Sequence, residues 1–417
     1  MDEVSRHTLT VAIKPPTSMV LDTPKDIQSG STKPSRALLR FHERQCKAAQ
    51  LLPVEYFWQD KAAWLEAQGY KLRPRYQPGW EPDIPMVDAY VMNENFVPMA
   101  RASIVDAIRM KDGKRVLLKR LYRSKNLHEI EISQLLGTGP LASDPRNHCA
   151  LVDDILSPSD EPDLKFMVFP FLQQLTAIPF DSFGEIVDFL QQVFTGLQFM
   201  HHHHVAHRDI GQPNIMMEGT ELFPDGWHQE FGHLLPDGQR QTTVFTRTQR
   251  PPKYYLIDFG LSRRYDPSDP NPLEEPIYGG DRTVPEFDTD EEVFNPFRTD
   301  IYYLGNMIRK YIIEGKNSEF TGYFGTGFLR SLVKDMTRTK PEKRPTIDQV
   351  VRRFNKICKK LSTWKLRSRP IPRTGNIRKG LHNHMEHWKR RRDFVKRGVP
   401  PIPSRQLQST TEVLPRP

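Results

Sequence analysis

The chain has 417 residues, of which 37% are hydrophobic, 27% charged and 36 proline, enough for one large two-lobed domain or two ordinary ones with part of the length in loops and tails. Its formal net charge is +9, but residues 364–417 carry fourteen Lys or Arg against three acids, or +11, so the other 363 residues sum to −2. Basicity confined to a tail excludes the body as a nucleic-acid-binding surface, and no run approaches the roughly 20 apolar residues of a membrane span or the apolar core of a signal peptide.

Residues 1–96 are expected to form a partly disordered extension with helical segments. Helix-like spacing occupies RALLRFHERQCKAAQLL and then EYFWQDKAAWLEAQ, the second ending at Gly69, a residue type that terminates helices. From about residue 97 short β-rich runs appear, ASIVDAIRM and KRVLLKRLY around a KDG turn, which predict a hairpin. The segment LHEIEISQLL predicts a helix, and LVDDIL and LKFMVFPFL a further strand pair. Long apolar-periodic helices follow, FGEIVDFLQQVFTGLQFMHH and FRTDIYYLGNMIRKYI. The fold class is therefore α+β: a small β-rich lobe with one helix over 97–171, then a larger helical lobe over 172–360. The arginine-rich, proline-punctuated tail, 361–417, is expected to be mostly disordered. Its basic cluster suits a polyanion or an import receptor, without establishing nucleic-acid binding. Cys46, Cys149 and Cys358 form no CxxC pair and read as free thiols of a reducing compartment. A cytoplasmic or nuclear protein without membrane contact is expected.

The chemistry is concentrated in HRDIGQPN, His207 to Asn214, and IDFG, Ile257 to Gly260. Phosphoryl transfer needs a carboxylate to orient the attacking hydroxyl and oxygen ligands to fix Mg²⁺ on the phosphates. The pattern H-R-D-x-x-x-x-N followed by D-F-G supplies these groups, and here the chain resembles the eukaryotic protein kinases over about residues 97–360. The stretch QDKAAWLEAQGYKLRPRYQPGW also resembles the N-terminal extension of kinase-like proteins abundant in mushroom-forming fungi.

The resemblance implies a bilobal kinase fold that binds ATP and Mg²⁺ and phosphorylates a protein substrate, on serine or threonine. By matching positions, Asp209 is the catalytic base, Asn214 and Asp258 the Mg²⁺ ligands, and Arg208 the partner of an activation-segment phosphate. Lys119, ending VLLK, would hold the α- and β-phosphates, its partner being Glu129 or Glu131. Val105, Leu117, Phe169, Phe171, Leu172 and Met216 are the other expected nucleotide contacts, with Phe169 as gatekeeper and Pro170 to Leu172 as hinge. Glu286 and Arg344 should form a buried pair, and Asp300 should brace the catalytic loop. The four neighbouring histidines, His201 to His204, have no acidic or cysteine neighbour in sequence and read as a helix end.

Four departures support a rival reading as a pseudokinase scaffold. The glycine-rich loop has become MARASIVDAI, without glycine. Leu117 stands where an alanine usually roofs adenine. Gly211 replaces a catalytic-loop lysine, and Gly279 an activation-segment threonine. Between Asn214 and Asp258 lies an expected insertion, about 218–252, projecting beside the site as a flexible elaboration. Ser262, Tyr265, Ser268, Tyr278 and Thr283 are candidate regulatory positions.

Overall fold

A computed structural model describes residues 50–81, 93–99, 101–277, 280–289, 292–315, 322–373 and 377–403. The expectations for residues 1–35, for the helical run at 36–49, for Tyr278 and Gly279, and for the tail beyond residue 403 lie outside these. Among the described residues the architecture is α+β.

Helix α1 (Tyr56–Ala67) ends two residues before Gly69, whose φ of +90° turns the chain into strand β1 (Tyr70–Leu72). Strands β2 (Ile104–Arg109) and β3 (Lys114–Tyr122) form the predicted hairpin, and helix α2 (Arg123–Gly137) follows directly. Strands β4 (Asp154–Leu156) and β5 (Leu164–Pro170) complete an antiparallel sheet in the order β1-β2-β3-β5-β4. Because successive side chains of a strand face opposite ways, β3 splits its apolar residues. Val116 and Leu118 join Trp58, Ala62 and Leu65 of α1, Val105 and Phe166 in one core; Leu121 joins Ile130 of α2 and Met167 on the other face. The N-terminal extension thus supplies an edge strand and a covering helix to this sheet.

The rest is largely helical. Strand β6 (Gln173–Gln174) leads to α3 (Phe183–His202), which has thirteen buried residues out of twenty and so runs through the middle of its core. Ser182 caps it, its hydroxyl accepting from the Glu185 amide. Strand β7 (Val205–Ala206), β8 (Ile215–Met217), β9 (Tyr254–Leu256) and β10 (Arg263–Arg264) make two small sheets, β6-β8-β9 and β7-β10, on which the motif residues are strung. Helices α4 (Pro296–Met307), α5 (Arg330–Met336) and α6 (Ile347–Lys359) close this core. Each large apolar side chain buried here, such as Leu190 or Phe194, contributes about 1.5–3 kcal/mol.

Two expectations change. The segment 218–252 does not project: Leu222 and Phe223 are in the main core, and buried Arg247 donates to the Leu175 carbonyl at 2.7 Å with its guanidinium 4.2 Å from the Phe180 ring centre. Apolar side chains within a sequence rich in turn formers give it a docking face. The tail forms helix and strand within its described residues, 361–373 and 377–403. Strand β12 (Ile371–Pro372) pairs with β11 (Tyr323–Phe324), and helix α7 (Ile377–Lys396) lays Arg390 against Asp181 at 2.8 Å. Arg391 stacks on Trp364 and Trp388, at 3.9 and 4.5 Å from the ring centres. Several of the charges that suggested a solvated tail are therefore engaged with a carboxylate and with aromatic faces. No helix among the described residues is long and apolar enough to cross a membrane.

Candidate active site

A cavity of about 660 Å³ opens between the five-stranded sheet and the helical core. Lys119 enters from β3, and its ammonium bonds both the Glu129 carboxylate of α2 and Asp258 Oδ1, the latter at 2.8 Å. Glu129 is buried one turn into the packed stretch of α2, whereas Glu131 points to solvent; of the two alternatives, Glu129 is the partner. Burial opposes the charge of Lys119, but the two carboxylates more than restore it and hold its pKa above the ordinary value.

Asp258 follows β9 in the left-handed backbone region, φ +65°, a conformation uncommon outside glycine and found at strained functional positions. The turn buries Phe259 in the core and leaves the carboxylate facing the cavity. Burial raises its pKa, but Lys119 and Arg101 reverse this and bring it down to about 2.

Asp209 and Asn214 come from the loop between β7 and β8. The Asn214 amide nitrogen donates to the Asp209 carbonyl and to Asp209 Oδ2, both at 2.8 Å. This leaves the Asn214 side-chain oxygen as its remaining acceptor. Burial raises the pKa of Asp209, with lesser opposing effects from His207 and Asn214. The loop is anchored from below: Asp300 of α4 accepts from the amides of His207 at 2.8 Å and Arg208 at 2.7 Å, and its Oδ2 meets His201 Nε2 at 3.0 Å. His202 likewise contacts Asp348 at 2.9 Å. The acidic partners of these histidines come from helices α4 and α6, far along the chain. Gly280 packs on the open side of Asp209; a Cβ there would lie 2.5 Å from Oδ1.

Arg208 meets Glu274 at 3.3 Å and the Glu275 carbonyl at 3.1 Å. Of the candidate regulatory positions, Ser262 is fully buried and donates to the His207 carbonyl, so it is not available for modification. Ser268 and Thr283 are exposed and Tyr265 is half-buried. Glu286 and Arg344 form a fully buried bidentate pair, one arm at 2.7 Å.

Leu117, Phe169, Phe171, Leu172 and Met216 line the cavity. Val105 does not. It pairs across the hairpin with Leu118 and faces the α1 core; Ile104, opposite Lys119, lines the cavity instead. The one-residue offset follows from the period of two. Lys119 and its cross-strand partner share a face, and counting back through the turn from Lys114↔Arg109 reaches Ile104. The next residue on that face, Asp106, is buried and held by Arg73 at 2.7 Å and Arg115 at 2.7 Å.

Sequence reasoning missed the cavity's mouth. Gln229 and Glu230 of the 218–252 segment line it, and Trp227 stacks on Phe171, ring centres 5.6 Å apart. Arg115 ties this wall to the sheet by bonding the Trp227 carbonyl, Asp106 and Glu94. Glu94 in turn accepts from the Gln229 amide. The excess length between Asn214 and Asp258 was the signal, but nothing local indicated where it docks.

No family model matches the chain. The human serine/threonine-protein kinase ULK3 is 24% identical to it over 199 residues, 45% of this chain. The alignment spans 40% of the length of that relative. The chain is similar to a protein kinase.

Proposed function

We propose that the protein is a kinase of bilobal fold that transfers the γ-phosphoryl group of ATP to a serine or threonine hydroxyl of a protein substrate. The observation that carries this reading is the convergence on one cavity of Lys119 paired with Glu129, Asp258 beside them, and Asn214, which in turn bonds Asp209. The similarity to a serine/threonine-protein kinase supports it at the level of the family.

In this reading adenine lies between Leu117 and Met216, with the Pro170 to Leu172 backbone alongside. Lys119 holds the α- and β-phosphates, its position fixed by Glu129. Asp209 accepts the proton of the attacking hydroxyl as the new O–P bond forms and the bond from the γ-phosphorus to the bridging oxygen breaks, releasing ADP. Asp258 and the Asn214 side-chain oxygen are the hard oxygen donors that Mg²⁺ prefers, and they are the residues that would hold it. When bound, Mg²⁺ neutralises the phosphate oxygens. The raised pKa of Asp209 suits a base; the depressed pKa of Asp258 suits a permanently ionised ligand.

The test is γ-phosphate transfer to a protein acceptor by wild type, Asp209→Asn and Lys119→Met with Mg²⁺ and ATP. Transfer by wild type, lost by about 10²–10⁴-fold on removal of the base, is the expected result. A specific observation favours the scaffold alternative: Arg101 donates to Asp258 across the space where metal and phosphate would meet. Nucleotide binding by wild type and Asp209→Asn, with no transfer by either to any acceptor, would favour that alternative.

A further inference from the structure

The turn before β2 has no glycine, so it lacks the small residues that let backbone amides approach a phosphate closely. It has instead a cation. Arg101 lies in that turn, its carbonyl accepting from the Ile104 amide, and its side chain reaches across the cavity mouth to Asp258 Oδ2 at 2.7 Å. The same carboxylate already holds Lys119 at 2.8 Å through its other oxygen. Arg101 is 60% exposed at the side chain, so this ion pair is solvated and readily exchanged. Among the described residues Arg101, Lys119 and Asp258 line one cavity, and Arg101 is the member carried by a turn rather than by a strand or an anchored loop.

We infer that Arg101 is the phosphate clamp of this site, exchanging Asp258 for the terminal phosphate oxygens of a bound nucleoside triphosphate. The inference rests on the nucleotide reading above. The planar guanidinium fork of Arg101 matches the anionic oxygens of a triphosphate, and Asp258, once released from Arg101, would be open to serve as a Mg²⁺ ligand. One flexible side chain thereby does the work of several backbone amides. Recognition then depends on the number of phosphates: a triphosphate reaches Arg101, while a nucleoside is held only by the deeper apolar walls around Leu117, Phe169 and Met216. The exchange also explains why the loss of glycine coexists with an intact Lys119, Asp209, Asn214 and Asp258.

The test is isothermal titration of wild type, Arg101→Ala and Arg101→Lys with adenosine, ADP and ATP in the presence of Mg²⁺. Thermal unfolding of each variant serves as the check on folding, which an exposed side chain should leave unchanged. Expected is a loss of ATP affinity of roughly tenfold or more in Arg101→Ala, the size of a lost charge-assisted hydrogen bond. Adenosine affinity should be unaffected, and Arg101→Lys should fall between. ATP binding to Arg101→Ala as tight as or tighter than to wild type, with adenosine binding intact, would overturn the clamp and leave Arg101 a plug on Asp258; the nucleotide reading would survive. Wild type that binds neither adenosine nor ATP would overturn the nucleotide reading itself, and the clamp with it.

Discussion

On the floor of the cleft and in the helical core, several charged side chains are answered by elements far away in sequence. Lys119 meets Asp258 across 139 residues, Arg344 meets Glu286 across 58, and Asp300 receives two amides of the loop carrying Asp209. At the mouth, different parts are used: a turn with arginine in place of glycine, the 218–252 segment folded against Phe171, and an N-terminal extension whose Glu94 bonds both that segment and the sheet. The floor holds the carboxylates, the lysine and the asparagine of the proposed phosphate chemistry, and the mouth surrounds them with side chains from other segments. A site can thus grip a ligand with parts other than those that hold its reacting groups, the two sets meeting where Arg101 bonds Asp258.

The largest effect should come from the floor. Arg344 is fully buried and its guanidinium also serves the Arg298, Arg338 and Thr339 carbonyls. Arg344→Ala strands the Glu286 carboxylate and should cost about 3–5 kcal/mol of stability by urea unfolding. At the mouth, Trp227→Ala removes the stack on Phe171 and the contact with Phe223, and should cost about 3 kcal/mol. If floor and mouth are separable as argued, the urea midpoints of these two variants will combine additively in the double mutant. A coupling energy above about 0.5 kcal/mol would tie the two regions together and break the comparison.

How much of this was legible beforehand follows the same division. The floor could be read because its residues stand in short motifs with fixed spacing, and because helix periodicity places α3 and α4 without reference to the rest of the chain. Glu129 against Glu131 was left open because both sit on plausible faces of one helix; only the packing of α2 on β3 separates them. Val105 was misplaced by one residue, an error that a strand's period of two turns into the opposite face. The mouth was illegible for a different reason. Docking of 218–252 depends on Glu94, Arg115 and Phe171, three residues from three distant segments, and no local pattern announces such a meeting. The docking of the described part of the basic tail is not legible either, because composition records Arg390 and Arg391 as charges and says nothing of Asp181 or Trp364.

Two carboxylates on the floor should respond to pH in opposite senses. Asp258 has a folded pKa of about 2, below its ordinary value near 3.9. It therefore contributes stability that is present above about pH 4 and lost as pH falls through 2. The pKa of Asp209 is raised, so its ionisation costs stability as pH rises past the ordinary carboxylate range. Asp209→Asn should accordingly raise the melting temperature at neutral pH while Asp258→Asn lowers it. The acid limb of any transfer activity should track Asp209 rather than Asp258, and so lie above the usual range of an aspartate.

The smallest effect tests whether the tail belongs with either region. Arg390 bonds Asp181 through two nitrogens, at 2.8 and 3.2 Å, but is 30% exposed, so solvent screens the pair. Arg390→Ala should cost no more than about 1 kcal/mol. The position of Asp181 makes the measurement worth making, since its amide donates to the buried Glu185 that also receives Thr248 of the 218–252 segment. The tail, through Asp181, and the 218–252 segment, through Thr248, are thus both linked to Glu185 at the start of α3. Hydrogen exchange of the Thr248 amide reads that junction directly. Faster exchange in Arg390→Ala, at nearly unchanged global stability, would show that the tail braces the mouth from behind; exchange at the wild-type rate would leave it a covering for α3 alone.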